Sequence, residues 1–287
     1  MNVRDGMKDT MDNRWMPLTS FSSGIGLEVT SDVYCFTNQI VNVVFVGNPK
    51  KPRDWVLIDA GMPESTNAIL SAVEHRFGEN SQPKAIILTH GHFDHVGAVI
   101  DLVRKWQVPV YAHKKELPYV TGQSSYPEPD GAVEGGLVAK ISPIFPNEPI
   151  DLGENVKALP ADGSVPELPE WRWLHTPGHT PGHVSLFREK DRMLIAGDAF
   201  VTVKQDSLYK VITQDKEING PPRYFTPDWE SAKMSVQKLQ KLQPIMAVTG
   251  HGEPVSGKEL REGLEKLANH FDELAVPDDG RYVQPTH

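Results

Sequence analysis

The stretch LTHGHFDHVG, residues 88–97, crowds three histidines and an aspartate into six positions directly after the apolar run Ala85-Ile86-Ile87-Leu88. Solvated histidines need no such spacing. A metal ion does, because it needs lone pairs converging from a short, stiff piece of backbone. His90 and His92 are two positions apart and place both rings on one side of an extended turn, whereas Asp94 and His95 follow where a helix begins and point elsewhere. That arrangement suits two adjacent metals. Further ligand types stand at the ends of apolar runs: His179 in HTPGHTPGH, Asp198 in LIAGDAF and His251 in AVTGHGEP. A glycine beside each lets the backbone turn sharply at a strand end and face a common centre. One such residue is ordinary for a turn; all of them in this order argue for a single site.

The elements that must hold these residues read as strands and helices in alternation. From about residue 26, LEVTSDVYCFTNQIVNVVFVG is predicted as two strands around Thr37-Asn38, and the turn NPKKPRD leads into the strand WVLIDAG. Ser65 to Phe77 carries Ile69, Leu70, Val73 and Phe77 at helical spacing and stops at Gly78. PKAIILTH is then a short buried strand, so the histidine cluster sits at a strand end. Val96 to Trp106 is the helix that follows it, before the strand VPVYAH. Residues 114 to about 150 break this rhythm with prolines, glycines, Tyr119, Tyr126 and Phe145, and are read as a packed, cap-like insertion. Strands resume in NVKALPADG, WRWLHTPGH, HVSLFREKD and RMLIAGDAF. A helix from Asp228 to Leu242 leads into the strand IMAVTGHG, and a last helix runs from Gly257 to Leu274. The recurrence of strand, loop, helix, strand predicts an α/β layered fold.

Composition narrows the function classes. The 39% apolar content of 287 residues suits an ordinary globular core, and a net charge of -9 without long basic runs excludes a nucleic-acid partner. Cys35 is the only cysteine, so no intramolecular disulfide can form, and its place in Val33-Tyr34-Cys35-Phe36 reads as a half-buried strand position. The polar start MNVRDGMKDTMDNRW does not resemble a secretory peptide, and no run approaches a membrane span. A cytoplasmic protein without membrane or nucleic-acid partners and with a small-molecule substrate is expected; homo-oligomerisation is left open.

His90-x-His92-x-Asp94-His95, His179 in Pro-Gly-His-Thr, Asp198 in Gly-Asp and His251 in Gly-His-Gly resemble the metal motifs of the metallo-β-lactamase-fold hydrolases. Asp59 in LIDAG matches the acidic residue that precedes the family's cluster, and the similarity covers roughly residues 26 to 257. The resemblance implies a four-layer αββα sandwich as one domain over residues 26–287, behind an amino-terminal extension of residues 1–25. It implies one metal site from His90, His92 and His179, a second from Asp94, His95 and His251, and Asp198 bridging. Asp59 is then a group that orients the ligand loop by hydrogen bonding. Two Zn²⁺ ions per chain are expected, with iron as the alternative metal; zinc ions about 3.5 to 4 Å apart can share a hydroxide of lowered pKa that attacks a carbonyl carbon. Asp94 or Asp198 would relay the proton. Tyr209 and Tyr224 are candidate oxyanion donors, and Phe93, Tyr119 and Tyr126 candidate lining of a substrate pocket under the insertion. His175 and His183 flank the central His179 and are read as supporting or packing residues. His113 stays ambiguous, and His75, His270 and His287 are expected at the surface.

Differences among relatives sharpen this. The secreted zinc β-lactamases lack an aspartate where Asp198 stands, nuclease relatives carry basic surfaces, and flavodiiron relatives place Glu where His92 stands. What remains is a hydrolase of a small ester, lactone or thioester, although the short acidic tail disfavours a glutathione thioester. One alternative is a mononuclear iron persulfide dioxygenase using His90, His179 and Asp198. Another is a metal-binding protein without catalysis.

Overall fold

The computed structural model describes residues 7, 23–131, 133, 149–203 and 218–283. The other residues of the amino-terminal extension, most of the second half of the insertion with Phe145, the candidate Tyr209, and His287 lie outside the described residues.

A seven-stranded sheet holds β1 (Gly26–Thr30), β2 (Val33–Asn38), β3 (Val41–Gly47), β4 (Trp55–Ile58), β5 (Ile86–Ile87), β6 (Val110–Ala112) and β7 (Val156–Ala158) in that spatial order. Where two strands were expected before residue 48, there are three. The unforeseen turn is at Ser31-Asp32, where the Thr30 hydroxyl donates to Asp32 Oδ1 at 2.7 Å. β1 to β4 run antiparallel as hairpins, whereas β4, β5, β6 and β7 are parallel neighbours and need crossovers. The first crossover is α1 (Thr66–Phe77), one residue shorter than expected and ended by Gly78 at φ 87°.

The second crossover was expected as one helix from Val96 to Trp106 and is instead α2 (Phe93–Val96) and α3 (Val99–Trp106). Gly97 and Ala98 give their N–H groups to the carbonyls of Gly61 and Ala60 at 2.8 and 3.1 Å, so backbone pairing replaces helical bonds there. A Cβ on Gly97 would lie 2.1 Å from the Met62 carbonyl carbon. Gly97→Ala should therefore destabilise the chain by about 2–3 kcal/mol in chemical denaturation, because the obstacle is main chain and cannot rotate away. Unchanged stability would contradict this packing.

The insertion opens with α4 (Leu117–Val120), held by Leu152 N–H to Val120 O at 2.9 Å. A six-stranded sheet follows, built from β8 (Ser164–Val165), β9 (Leu168–His175), β10 (Val184–Arg188), β11 (Met193–Gly197), β12 (Met246–Thr249) and β13 (Val255–Ser256) in the spatial order β13-β12-β11-β10-β9-β8. Only β11 and β12 are parallel among the pairs described, and α5 (Trp229–Lys241) crosses between them. The Asp228 side chain caps α5 by accepting from Ser231 N–H at 2.9 Å. The expected last helix is interrupted at His270, giving α6 (Gly257–Asn269) and α7 (Phe271–Leu274).

The chain divides into two compact units. In the first, Phe45, Trp55, Leu57, Ile86 and Val110 of the sheet are buried with Ile69, Val73, Val99, Leu102 and Trp106 of α1 and α3. In the second, Phe187, Leu194 and Ala247 are buried with Val236, Leu239, Leu260 and Leu264 of α5 and α6. Each unit is thus sheet and helix packed by apolar faces, in agreement with the α/β expectation. Cys35, expected half-buried, is 1% exposed, because both side-chain parities of β2 are covered. No helix among the described residues is long and apolar enough to cross a membrane.

Candidate metal centre

In the first unit the parallel neighbours β4 and β5 end side by side, which brings Asp59 beside Thr89. Asp59 takes a left-handed φ of 61° and turns its carboxylate onto the ligand loop. Its Oδ1 accepts from Thr89 N–H at 2.7 Å, and its Oδ2 accepts from the Thr89 hydroxyl at 2.7 Å and from His95 Nδ1 at 2.9 Å. Because the Thr89 hydroxyl spends its proton on Asp59, it accepts from His90 Nδ1 at 3.0 Å. Asp59 thus fixes His95 directly and His90 through Thr89, and in both rings the proton sits on Nδ1 and the lone pair on Nε2.

His92 caps α2, its carbonyl accepting from His95 N–H at 2.9 Å. The rings of His90, His92 and His95 cluster, with His90 centred 4.8 Å from His92 and 4.1 Å from His95. Ligand atoms of His90 and His92, of His90 and His95, and of Asp94 and His95 lie within 4.8 Å of one another in each pair. All four residues are buried. Behind the loop, Gly91 N–H reaches Glu116 Oε2 at 3.1 Å and the Tyr126 hydroxyl oxygen at 3.0 Å, and Tyr126 donates to Glu116. Burial, reinforced by the Glu116 charge, holds the Tyr126 phenol well above its ordinary pKa and keeps that proton in place.

In the second unit Gly178, at φ 132°, lets the chain pass so close to α5 that a Cβ would lie 2.4 Å from Ala232 N. His179 follows, and its Nδ1 meets the Thr226 hydroxyl at 3.3 Å; that hydroxyl donates to Pro222 O at 2.7 Å, so Nδ1 is again the protonated nitrogen. The parallel pair β11 and β12 ends at Asp198 and His251, and Gly250 N–H joins Gly197 O at 2.9 Å. Asp198 Oδ2 stands 3.5 Å from His179 Nε2 and 3.3 Å from His251 Nε2. One carboxylate facing two imidazoles is the arrangement a bridging ligand needs.

His183 has a definable part. A peptide N–H can only donate, so the 2.9 Å contact from Asp198 N makes His183 Nε2 an acceptor and leaves its Nδ1 proton for Thr176 O at 3.0 Å. It supports the Asp198 backbone, as its sequence position beside His179 suggested. His175, the other flanking histidine, meets Pro181 O through Nε2 at 2.9 Å. His113 is buried and accepts from Lys115 N–H at 3.3 Å, while His75 and His270 are exposed as expected.

Among the pocket candidates, Phe93 is buried in α2, and Tyr126 is buried with its hydroxyl on Glu116 and Gly91 and its ring 4.5 Å from that of His92. Tyr119 is half-buried and stacked on Tyr126 at 4.0 Å. Tyr224 is buried against Phe225. Thr89, Glu116 and Thr226 escaped the sequence reading; only the adjacency of Thr89 to His90 could have signalled one of them.

The donor set fits a divalent metal. Imidazole nitrogens and carboxylate oxygens are the ligand types zinc and iron take, and the Nδ1 contacts of His90, His95 and His179 would leave Nε2 as the nitrogen each could offer to a metal.

Comparison with known proteins agrees. The sequence model of the Metallo-beta-lactamase superfamily matches residues 36–251. The chain is 52% identical to the probable metallo-hydrolase YflN of Bacillus subtilis (strain 168) over 92% of this chain and 100% of that protein. It is 28% identical to a hydroxyacylglutathione hydrolase of Bdellovibrio bacteriovorus over 56% of this chain and 45% of that one. Among solved structures, TTHA1623 in a di-iron-bound form is similar with a TM-score of 0.52 and 28% identity, over 80% of this chain and 94% of that one. From its ligand types, its fold and these relatives, the chain belongs to the metallo-β-lactamase superfamily, as one of its metallo-hydrolases.

Proposed function

We propose that the chain is a dinuclear zinc hydrolase of a small ester, lactone or thioester. His90, His92 and His179 would hold one ion, Asp94, His95 and His251 the other, and Asp198 both. The observation that carries this reading is the common orientation of His90, His95 and His179, each with Nδ1 held by a hydroxyl or carboxylate oxygen, which would make Nε2 the ligating nitrogen. Bound zinc supplies an acidified water as nucleophile and a Lewis acid for the carbonyl oxygen.

The protein's own groups do the rest. Asp59 and Thr89 hold the first ligand loop, and His183 and Thr226 hold Asp198 and His179. Asp94 or Asp198 carries the proton to the leaving group. Phe93, Tyr119 and Tyr126 would border the substrate, with Tyr224 or Tyr209 as donor to the carbonyl oxygen. A cytoplasmic setting belongs to the same reading. The relative named as a hydroxyacylglutathione hydrolase keeps thioesters among the substrates to be tried.

The test is hydrolysis of a panel of aliphatic lactones, aryl esters and acyl thioesters by the zinc-loaded chain and by His92→Ala. At least one class should be turned over, with His92→Ala near the buffer rate. A zinc-loaded chain inert towards all three classes, or a fully active His92→Ala, would contradict the proposal.

The di-iron form of the similar TTHA1623 makes iron the competing metal. A persulfide dioxygenase holding one iron through His90, His179 and Asp198 is the second reading, and its signature would be oxygen consumption with a persulfide.

A further inference from the structure

Glu116 is the N-cap residue of α4, 0% exposed and 25 residues beyond the loop it touches. Burying a carboxylate costs stability unless hydrogen bonds compensate it. Here two of its contacts converge on the ligand loop: the N–H of Gly91, the residue between His90 and His92, and the hydroxyl of Tyr126, whose oxygen meets that same N–H. The loop is pressed close against this anchor. A Cβ on Gly91 would stand 2.6 Å from Tyr126 Oη and 2.8 Å from Val120 Cγ1 of α4. The anchor is itself fixed, by Leu152 N–H on Val120 O and by the bridge between Thr121 and Asp151.

We propose that Glu116 is a positioning residue of the metal centre, which through the Gly91 amide and the Tyr126 hydroxyl sets the direction in which His90 and His92 present their rings. The peptide plane at Gly91 joins the two ligands, so the acceptor of its N–H fixes how far that plane can rotate. Tyr126 adds a lateral stop, its ring centre 4.5 Å from that of His92. The first ligand loop is thereby held from two sides, by Asp59 at His90 and His95 and by Glu116 at Gly91. This rests on the proposed reading of His90 and His92 as ligands.

The test uses the full-length chain and the variants E116A, E116Q and Y126F, each checked for folding by circular dichroism. Metal affinity is read by chelator competition, coordination geometry by the visible spectrum of the cobalt(II)-loaded chain, and turnover as kcat and KM separately. E116A should lose about 10- to 100-fold in metal affinity or kcat, with an altered cobalt spectrum and a nearly unchanged KM. E116Q keeps an oxygen acceptor in the same place and should recover to within about fivefold of the unaltered chain. Y126F should shift the cobalt spectrum in the direction of E116A.

A folded E116A with unaltered spectrum, affinity and kcat would overturn the proposal, as would an E116Q no better than E116A. If E116A does not fold, Y126F decides: an unshifted cobalt spectrum in a folded Y126F contradicts the role. An unaltered chain that binds neither zinc nor cobalt would remove the ligand assignment itself, and the role of Glu116 with it. Metal binding that is indifferent to residue 116 removes only the latter.

Discussion

On the proposed dinuclear reading Asp198→Ala should lower turnover by about three orders of magnitude, because a carboxylate shared by two metals would contribute several kcal/mol to holding and charging the centre, at about 1.4 kcal/mol per decade of rate. Its oxygen faces His179 and His251 at 3.5 and 3.3 Å, so its loss withdraws a negative charge from beside two imidazoles at once. The fold should survive. Asp198 follows β11 at its end, the Asp198 N–H to His183 bond is main chain and persists in the variant, and the buried face of β11 is untouched. The measurement is kcat with metal content per chain, beside circular dichroism. A folded Asp198→Ala that keeps its metal and its rate would contradict the bridging role.

Asp59→Ala should act on stability as well as on the metal. Thr89 N–H, the Thr89 hydroxyl and His95 Nδ1 would each lose a buried charged acceptor. Unmet buried donors cost about 1–3 kcal/mol each, with partial relief by rearrangement, so a loss of about 3 kcal/mol is expected in the metal-free protein. Alanine at a φ of 61° adds about 1 kcal/mol of backbone strain. Releasing the tautomer of His95, and of His90 through Thr89, should further weaken metal affinity about 10- to 100-fold. Asp59→Asn separates the terms. Asparagine tolerates the left-handed backbone, so it should recover the strain but not the affinity, since its amide group meets one of these donors with another donor. Denaturant unfolding with chelator present, then metal titration, reads the two effects apart; an Asp59→Asn with full affinity would sink this account of the loop.

Legibility in the sequence followed the range of the interactions. The ligand cluster 90–95 and the strand-end positions of Asp198 and His251 were visible because residue type, apolar runs and glycines are local signals. So were α1 and α5, whose apolar spacing and caps lie within their own segments. The split between α2 and α3 was hidden, because what breaks the helix is the backbone of residues 60–62, more than 30 positions away. The interruption at His270 has no proline or glycine to announce it. Asp59 was found only through its resemblance to a family position; its three bonds span 30 and 36 residues. Glu116 and Thr226 touch their targets across 25 and 47 residues, and neither type is unusual where it stands. Thr30 and Asp32 carried a readable turn signal that the long apolar run obscured.

The most direct test of the central claim is the metal content of the purified chain, expressed in medium holding both zinc and iron and measured by elemental analysis. The account predicts about two zinc ions per chain, falling on His92→Ala and on Asp198→Ala. About one iron with little zinc would contradict the dinuclear zinc centre and turn attention to oxygen consumption with a persulfide. Essentially no metal, in a folded chain offered both, would contradict the metal centre altogether.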